Sequence, residues 1–480
     1  MINTIIDFHC HPSMKPYGKS FASDRKNSAN KKDKKSIWHY DAPGLMERGL
    51  QMASCICKFT QTDFTSLAYG NVQIVCAALY PVERGFFKGK LGTGTLPSDV
   101  LNGFVTGLGK ARIDYIQQGG HYFEDLENEY DFYRQLEGVK VKTDAGVFTY
   151  RMVCSFADIE NYYSEDVPAE NTLFIIPAIE GMHSLHNDID HIDEVAVLAN
   201  LDKVKAWKCP PFMVSMAHHF YNHLCGHAQS LTDLVGKVTD QSEGLRSGIT
   251  PLGYQVIRKL LAKSEHEKRI LIDIKHMSTR ARQEYFHLLK TDYGHDPIPV
   301  IVSHGAANGM RSVLEPVQDR KETAFKLNAS EINFYDEEII LVAQTGGLFC
   351  LQLDERRIAS EATLKSTKHA IPINKIRHYR AELFWNQVQH IAELLDSRGL
   401  FAWDCMAIGS DFDGIINPLN GYLTAETYQQ LLEFTERYAF NYMSGRGKEV
   451  LQPFNRIEPS EIVNRIFTDN GVSFLRRWFQ

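Results

Sequence analysis

No run in this chain approaches the roughly 18 consecutive apolar residues that would cross a bilayer. The first apolar segment is short, Ile2 to Phe8, and no basic stretch precedes it, so no secretory leader is expected. Positive charge is scarce as well. Lys and Arg number 52 against 59 Asp and Glu, and the net charge of −7 leaves no electrostatic footprint for nucleic acid or an anionic membrane. The one basic run, Arg25-Lys26 through Lys31-Lys32-Asp33-Lys34-Lys35, is interleaved with Ser and Asn and reads as a solvated loop. Cysteine offers no framework either. The nine cysteines are scattered through runs such as Val75-Cys76-Ala77 and Leu348-Phe349-Cys350, and Cys55-x-Cys57 has no second pair at zinc-site spacing. They are expected to be buried, reduced thiols of a cytoplasmic protein. No internal repeat or low-complexity segment is present, which excludes arrays and solenoids.

What the chain does have is apolar material, 44% of 480 residues. Length alone would suggest about three domains, but an α/β barrel with insertions absorbs such a length. Eight short, β-branched-rich runs end in polar or Gly-rich residues: Ile5–His9, Val72–Leu79, Thr172–Ile179, Phe212–Ala217, Ile270–Ile274, Val300–Ser303, Gly347–Leu351 and Met406–Gly409. Helix-period segments lie between most of them, for example Tyr254–Lys263 and Leu383–Leu395. Eightfold alternation predicts a (β/α)₈ TIM-type barrel. The surplus length falls mainly at 84–150, with Gly92-Thr93-Gly94 and Gly119-Gly120 turns and a charged helical stretch at Asp125–Leu136. The expectation is one barrel domain over 1–480, with 84–150 as a helical insertion after the second strand, lying over the barrel mouth.

The polar residues that end these strands carry the chemistry. In Asp7-Phe8-His9-Cys10-His11, residues i and i+2 of a strand share a face, so both imidazoles can reach one ion. Glu180 ends the third strand, His276 the fifth, His304 the sixth and Asp411 the eighth, and in a barrel all converge at the carboxyl-terminal mouth. Four imidazoles and two carboxylates exceed what one tetrahedral zinc takes in a catalytic site. Two divalent ions bridged by a carboxylate, with a hydroxide as nucleophile, would use the whole set.

Several blocks in this order resemble the membrane (renal) dipeptidase family of metallopeptidases. They are Ala178-Ile-Glu180-Gly181, Met216-Ala-His-His219-Phe-Tyr-Asn222, Gly248-Ile-Thr-Pro-Leu-Gly253, Ile272-Asp-Ile-Lys-His276-Met-Ser278, Ser303-His304, Gly346-Gly347, His390-Ile391 and Gly409-Ser-Asp411-Phe-Asp413-Gly414. The resemblance implies two zinc ions: His9 and His11 on one, His276 and His304 on the other, with Glu180 bridging. It implies that Asp411 lies beside the first ion and shuttles a proton. It also implies that a histidine of the fourth-strand block, His219 by its offset from Asn222 or else His218, contacts the substrate carbonyl.

Two departures stand out. The family has His-x-Asp where this chain has His9-x-His11, which adds about one positive charge and bears on metal preference. The family's carboxylate-binding arginine is matched only by Arg311, at altered spacing, which predicts weak activity on ordinary dipeptides and better activity on substrates lacking a C-terminal carboxylate.

Other polar residues read more plainly. His219, His223 and His227 would share a helix face, yet no Glu follows His219, so a second metal site is not expected. His183, His186 and His191 read as rim groups. Asp413 reads as a turn or supporting residue because Ile415, Ile416 and Pro418 exclude a calcium loop, and Asp7 either orients an imidazole or caps a strand end. The leading function is metal-dependent hydrolysis of an amide bond in a small substrate such as a dipeptide. The alternatives are a phosphoesterase or lactonase and a non-catalytic binding barrel. The expected partners are the small substrate and at most a second copy of the chain as a homodimer, with no nucleic acid and no membrane.

Overall fold

Strand β1 (Ile5–Cys10) is buried along its entire length, as a parallel strand covered on both faces must be. The other strands are β2 (Val72–Leu79), β3 (Val141–Thr143), β4 (Gly146–Met152), β5 (Asn171–Glu180), β6 (Met213–Ser215), β7 (Leu271–Asp273), β8 (Ile301–Gly305), β9 (Leu348–Leu351) and β10 (Met406–Ile408). Pairing runs β2-β1-β10-β9-β8-β7-β6-β5 in parallel and closes through β2–β5, from Ile74↔Phe174 to Leu79↔Ile179. That is a closed eight-stranded parallel barrel ringed by helices. The computed structural model describes residues 2–44, 47–48, 57, 59–87, 107–164, 171–231, 236, 239–264, 268–318, 321–367 and 372–480.

All eight expected strands are barrel strands, with ends shifted by one or two residues. The segment after β2 differs from expectation. It holds helices Lys110–Gln117 and Tyr122–Arg134, but it also holds the β3–β4 hairpin, and β4 pairs in parallel with the first half of β5. The hairpin has its own sequence logic: Phe148, Tyr150 and Met152 are buried while Val147 and Arg151 face outward, around a turn at Asp144-Ala145. Helix Tyr122–Arg134 reaches the carboxyl ends of three strands. Ser13 Oγ donates to Glu129 at 2.5 Å, the Tyr80 amide donates to Glu129 at 2.8 Å, and the Phe123 amide donates to the His186 carbonyl at 3.1 Å. The Gly92-Thr93-Gly94 turn lies outside the described residues. At the opposite end, the C-terminal helix Asn470–Trp478 brings Phe474 within 6.2 Å of Phe8 and 6.0 Å of Phe212, ring to ring.

The basic run lies in a turn-rich segment, where Lys31 meets Asp144 and Arg25 meets Glu124. The expectation of uniformly reduced cysteines does not hold: Cys154, just after β4, is disulfide-bonded to Cys209, just before β6. Among the described residues Cys10, Cys57, Cys76, Cys225, Cys350 and Cys405 are free. No helix among them is long and apolar enough to cross a membrane.

Candidate metal centre

Glu180, the last residue of β5, is the hub of the barrel mouth. His9 Nε2, His276 Nε2 and His304 Nε2 lie 3.3, 3.3 and 3.4 Å from its Oε1, while His11 Nε2 and His218 Nε2 lie 3.1 and 3.5 Å from Oε2. Asp411 adds a carboxylate, with Oδ1 at 3.6 Å from His11 Nε2 and Oδ2 at 3.9 Å from His304 Nε2. The histidine and Glu180 side chains are buried, and that of Asp411 is 12% exposed. The ligand atoms of His9, His11 and Glu180 all lie within 4.8 Å of one another, and so do those of Glu180, His276 and His304.

The donor set fits metal ions. Ligands at about 2.0–2.1 Å from a tetrahedral ion stand about 3.3 Å apart, which is the spacing seen around Glu180. His9 Nε2 and His11 Nε2 are buried without a hydrogen-bond partner. His276 Nε2 and His304 Nε2 face each other at 3.1 Å, an arrangement that a shared cation between two lone pairs would satisfy. Burial, reinforced by neighbouring positive imidazoles, holds His276, His304 and His219 well below the usual histidine range, so all three are neutral, as ligands or neutral donors must be. Burial would raise the Glu180 carboxyl, but His218, His9 and His11 overcome it and hold Glu180 well below the carboxylate range. Burial lowers His11, but Asp411 and Glu180 outweigh it and raise its imidazole to about 10, a measure of how much negative charge a cation would find there.

Local structure aims these groups. Asp7 accepts from the His9 amide at 3.1 Å, the Ser410 amide at 2.9 Å, Ser410 Oγ at 2.6 Å and Tyr428 Oη at 2.6 Å. It ties the ends of β1 and β10 together and makes no hydrogen bond to an imidazole. Asp273 does the same for β6, β7 and β8 through Ser215 Oγ, the Lys275 amide and Ser303, whose Oγ also meets His304 Nδ1 at 2.8 Å. His276 and Asp411 both have left-handed backbones, with φ of 65° and 62°, a strain of about 1–3 kcal/mol each that surrounding structure must hold. The Ala228 amide on the His276 carbonyl and the Asp411 amide on the His9 carbonyl, both at 2.8 Å, do so. Gly181 follows Glu180 at φ 85°, where a Cβ would lie 2.4 Å from His183 Nδ1.

Several expectations are corrected. Residues 216–230 form loop with isolated bridges, so His219, His223 and His227 share no helix face. His219 lies at the centre, ring to ring 5.3 Å from His276, with Nδ1 at 2.6 Å from Ser230 Oγ. His183 and His186 are buried, not rim groups, and bond the carbonyls of Pro81 and Asn222 through Nε2. Only His191 is exposed, as expected. The half-exposed guanidinium of Arg311 pairs with Glu315 at 2.8 Å, in the loop after β8. Asp413 supports the mouth, accepting from Lys15 Nζ at 2.6 Å and from the amides of Gln61 and Thr62.

Three residues missed by the sequence reading join the site. Glu83, three residues beyond Tyr80 at the end of β2, accepts from His218 Nδ1 at 2.6 Å. Polar residues closing a strand were the signal elsewhere, and the same rule would have found Glu83 and Lys275. Lys275 precedes His276, is buried, and its Nζ has no hydrogen-bond partner. Arg357, in the short helix Glu355–Ile358 after β9, donates to the Ser230 carbonyl from across the mouth, and nothing in its sequence context marks it.

Residues 38–442 match the family model described as membrane dipeptidase, peptidase family M19; His9 and His11 lie upstream of the matched span. No curated protein matches the chain. Among solved structures, the dipeptidase AC, a metallopeptidase of family M19, is similar at 11% identity over 99% of both chains, with a TM-score of 0.50, which bears on the fold. A Rhodobacter sphaeroides metallopeptidase bound to a phosphinate mimic of L-Ala-D-Ala aligns at 12% identity over 99% of both chains, with a TM-score of 0.49. The probable dipeptidase PvdM from Pseudomonas aeruginosa aligns at 14% identity over 88% of this chain and 89% of its own, at 0.48. With the family match spanning most of the barrel and the histidines gathered at its mouth, this chain belongs to the membrane dipeptidase family.

Proposed function

We infer that the protein hydrolyses dipeptides with two divalent ions, zinc in the native enzyme, held on either side of Glu180. The observation that carries this reading is the crowding of buried imidazole nitrogens around both oxygens of one carboxylate, at spacings that suit metal ligands. Bound divalent ions supply water ionised at neutral pH and polarise the scissile carbonyl. His219 supplies a neutral donor. Gln241 donates to Ser230 Oγ at 2.8 Å, which leaves the serine proton for His219 Nδ1, so the imidazole Nε2–H is free to meet the carbonyl oxygen as charge develops. Asp411, pushed above the usual carboxylate range by burial and by Glu180, is suited to accept a proton from attacking water and hand it to the leaving amine.

Besides Lys15, which is paired with Asp413, the basic side chains near the mouth are Arg357 and Lys275, the latter lowered to about 7 by burial. Arg357 binds the carbonyl of the serine whose hydroxyl holds His219, and Lys275 is buried beside His276. This favours a substrate with a free carboxylate, the reverse of the preference that the displaced arginine spacing suggested. The test is metal-free protein reconstituted with zinc and assayed on dipeptides, their C-terminal amides, N-acyl amino acids, lactones and phosphate esters. Metal-dependent dipeptide cleavage supports the reading; turnover of phosphate esters or lactones alone contradicts it.

The reading also includes a cytoplasmic site of action, on the strength of the buried free thiols, and the Cys154–Cys209 bridge weighs against it because such bonds persist in oxidising compartments. Alkylation at lysis followed by mass spectrometry decides it: a bridge already present in the cell rules out the cytoplasm.

A further inference from the structure

The two oxygens of Glu180 do not face equivalent surroundings. Oε1 faces His9, His276 and His304 at 3.3, 3.3 and 3.4 Å, which with the carboxylate makes four protein donors. Oε2 faces His11 at 3.1 Å, and the position that family resemblance gives to an aspartate is here an imidazole. A second imidazole stands on that same side. His218 Nε2 is 3.5 Å from Oε2, and its ring lies 4.5 Å from that of His276 and 4.7 Å from that of Tyr80.

The back of the His218 ring is fixed. Nδ1 is 2.6 Å from Glu83 Oε2, and the other oxygen of Glu83 accepts from the Phe220 amide at 2.9 Å, so the carboxylate cannot swing away. A carboxylate behind Nδ1 sets the tautomer: the proton sits on Nδ1, and the Nε2 lone pair points at Glu180. This is the carboxylate–histidine arrangement that orients metal-binding imidazoles and raises their basicity. His218, Glu83 and Glu180 are all buried. His219, by contrast, is backed by a serine hydroxyl, which suits a donor to substrate better than a ligand.

The geometry points to His218, held by Glu83, as a metal ligand that this chain has added on the Oε2 side of Glu180. There it stands with His11 and the Oδ1 of Asp411, which is 3.6 Å from His11 Nε2. The buried charge of Glu83 also restores, one residue removed, the negative charge that an imidazole at position 11 does not supply. This inference rests on the two-ion reading above.

The test reads metal, not turnover. Wild type, His218→Ala, Glu83→Gln and the control His223→Ala are loaded with zinc or cobalt and dialysed. Each is then measured for metal per chain by elemental analysis, for affinity by chelator competition, and for the visible spectrum of the cobalt form. The wild type is expected to hold two ions. His218→Ala is expected to lose one ion or bind it at least about 100-fold more weakly with an altered cobalt spectrum, Glu83→Gln to weaken the same ion by about 10–100-fold, and His223→Ala to match wild type. Glu83→Gln leaves every imidazole in place, so it still decides the matter where His218→Ala fails to fold. Two ions bound by both variants with unchanged affinity and spectrum overturn the His218 assignment alone. A single ion in the wild type overturns the two-ion reading and this assignment together.

Discussion

Replacing Asp411 by Asn separates a proton shuttle from a structural carboxylate. The substitution is close to isosteric, and Asn accepts the left-handed backbone that Asp411 adopts at φ 62°, so the turn survives. Its main-chain bonds, to the His9 carbonyl and from the Gly414 amide at 2.9 Å, do not depend on the side chain. What disappears is the negative charge 3.6 Å from His11 Nε2 and 3.9 Å from His304 Nε2, together with the ability to carry a proton. The amide oxygen can still face the same nitrogens, so most bound metal is expected to remain. Loss of a positioned general acid–base costs about 10²–10⁴-fold in kcat, or about 2.7–5.4 kcal/mol of transition-state stabilisation. The assay measures kcat and KM for a dipeptide alongside metal content and circular dichroism on one preparation. A kcat within about threefold of wild type, at full metal occupancy, would refute the shuttle. A lost fold would instead make Asp411 a structural residue.

Arg357→Gln should raise KM for a free-acid dipeptide about tenfold or more, the worth of one charge-assisted hydrogen bond, and clearly more than for its C-terminal amide; Arg311→Ala should change neither. Burial pushes the His186 imidazole down to about 4. Since this lies below its unfolded value of about 6.5, stability is complete above about pH 6.5 and falls as pH drops toward 4, by up to about 1.4 kcal/mol per unit; urea titrations at several pH values should show the slope, and His186→Gln should flatten it. Gly181→Ala forces a side chain into φ 85° and against His183, and should lower stability by at least about 1 kcal/mol and loosen metal binding; an unchanged midpoint would show that the loop relaxes freely.

The barrel was legible because parallel strands buried on both faces leave short β-branched runs, and five of the eight lead into candidate metal ligands. His9, His11, Glu180, His276, His304 and Asp411 come together because each closes a strand, and in a barrel those ends meet. Residues whose position depends on how a loop returns were not legible. Arg357 reaches Ser230 from beyond β9, while Arg311, much nearer a ligand in sequence, is carried outward to Glu315. Helical spacing misled at His219, His223 and His227, where bridges such as Cys225↔Ile249 hold an extended loop. His183 and His186 looked like rim residues among polar neighbours, but the 3-10 turn Met182–Leu185 sets His183 against the rings of Tyr122 and Tyr80, and His186 bonds the Asn222 carbonyl. Cys154 and Cys209 are 55 residues apart, and the pairing of β5 with both β4 and β6 brings them together.

The most direct test of the account is dipeptide hydrolysis by Glu180→Gln measured against wild type, with zinc content determined on the same samples. Gln keeps the size and one oxygen acceptor but removes the charge on which His9, His11, His276 and His304 converge. Two zinc ions and dipeptide cleavage are expected in the wild type, with at least one ion and nearly all turnover lost in the variant. Wild-type metal content and undiminished turnover in Glu180→Gln would contradict it.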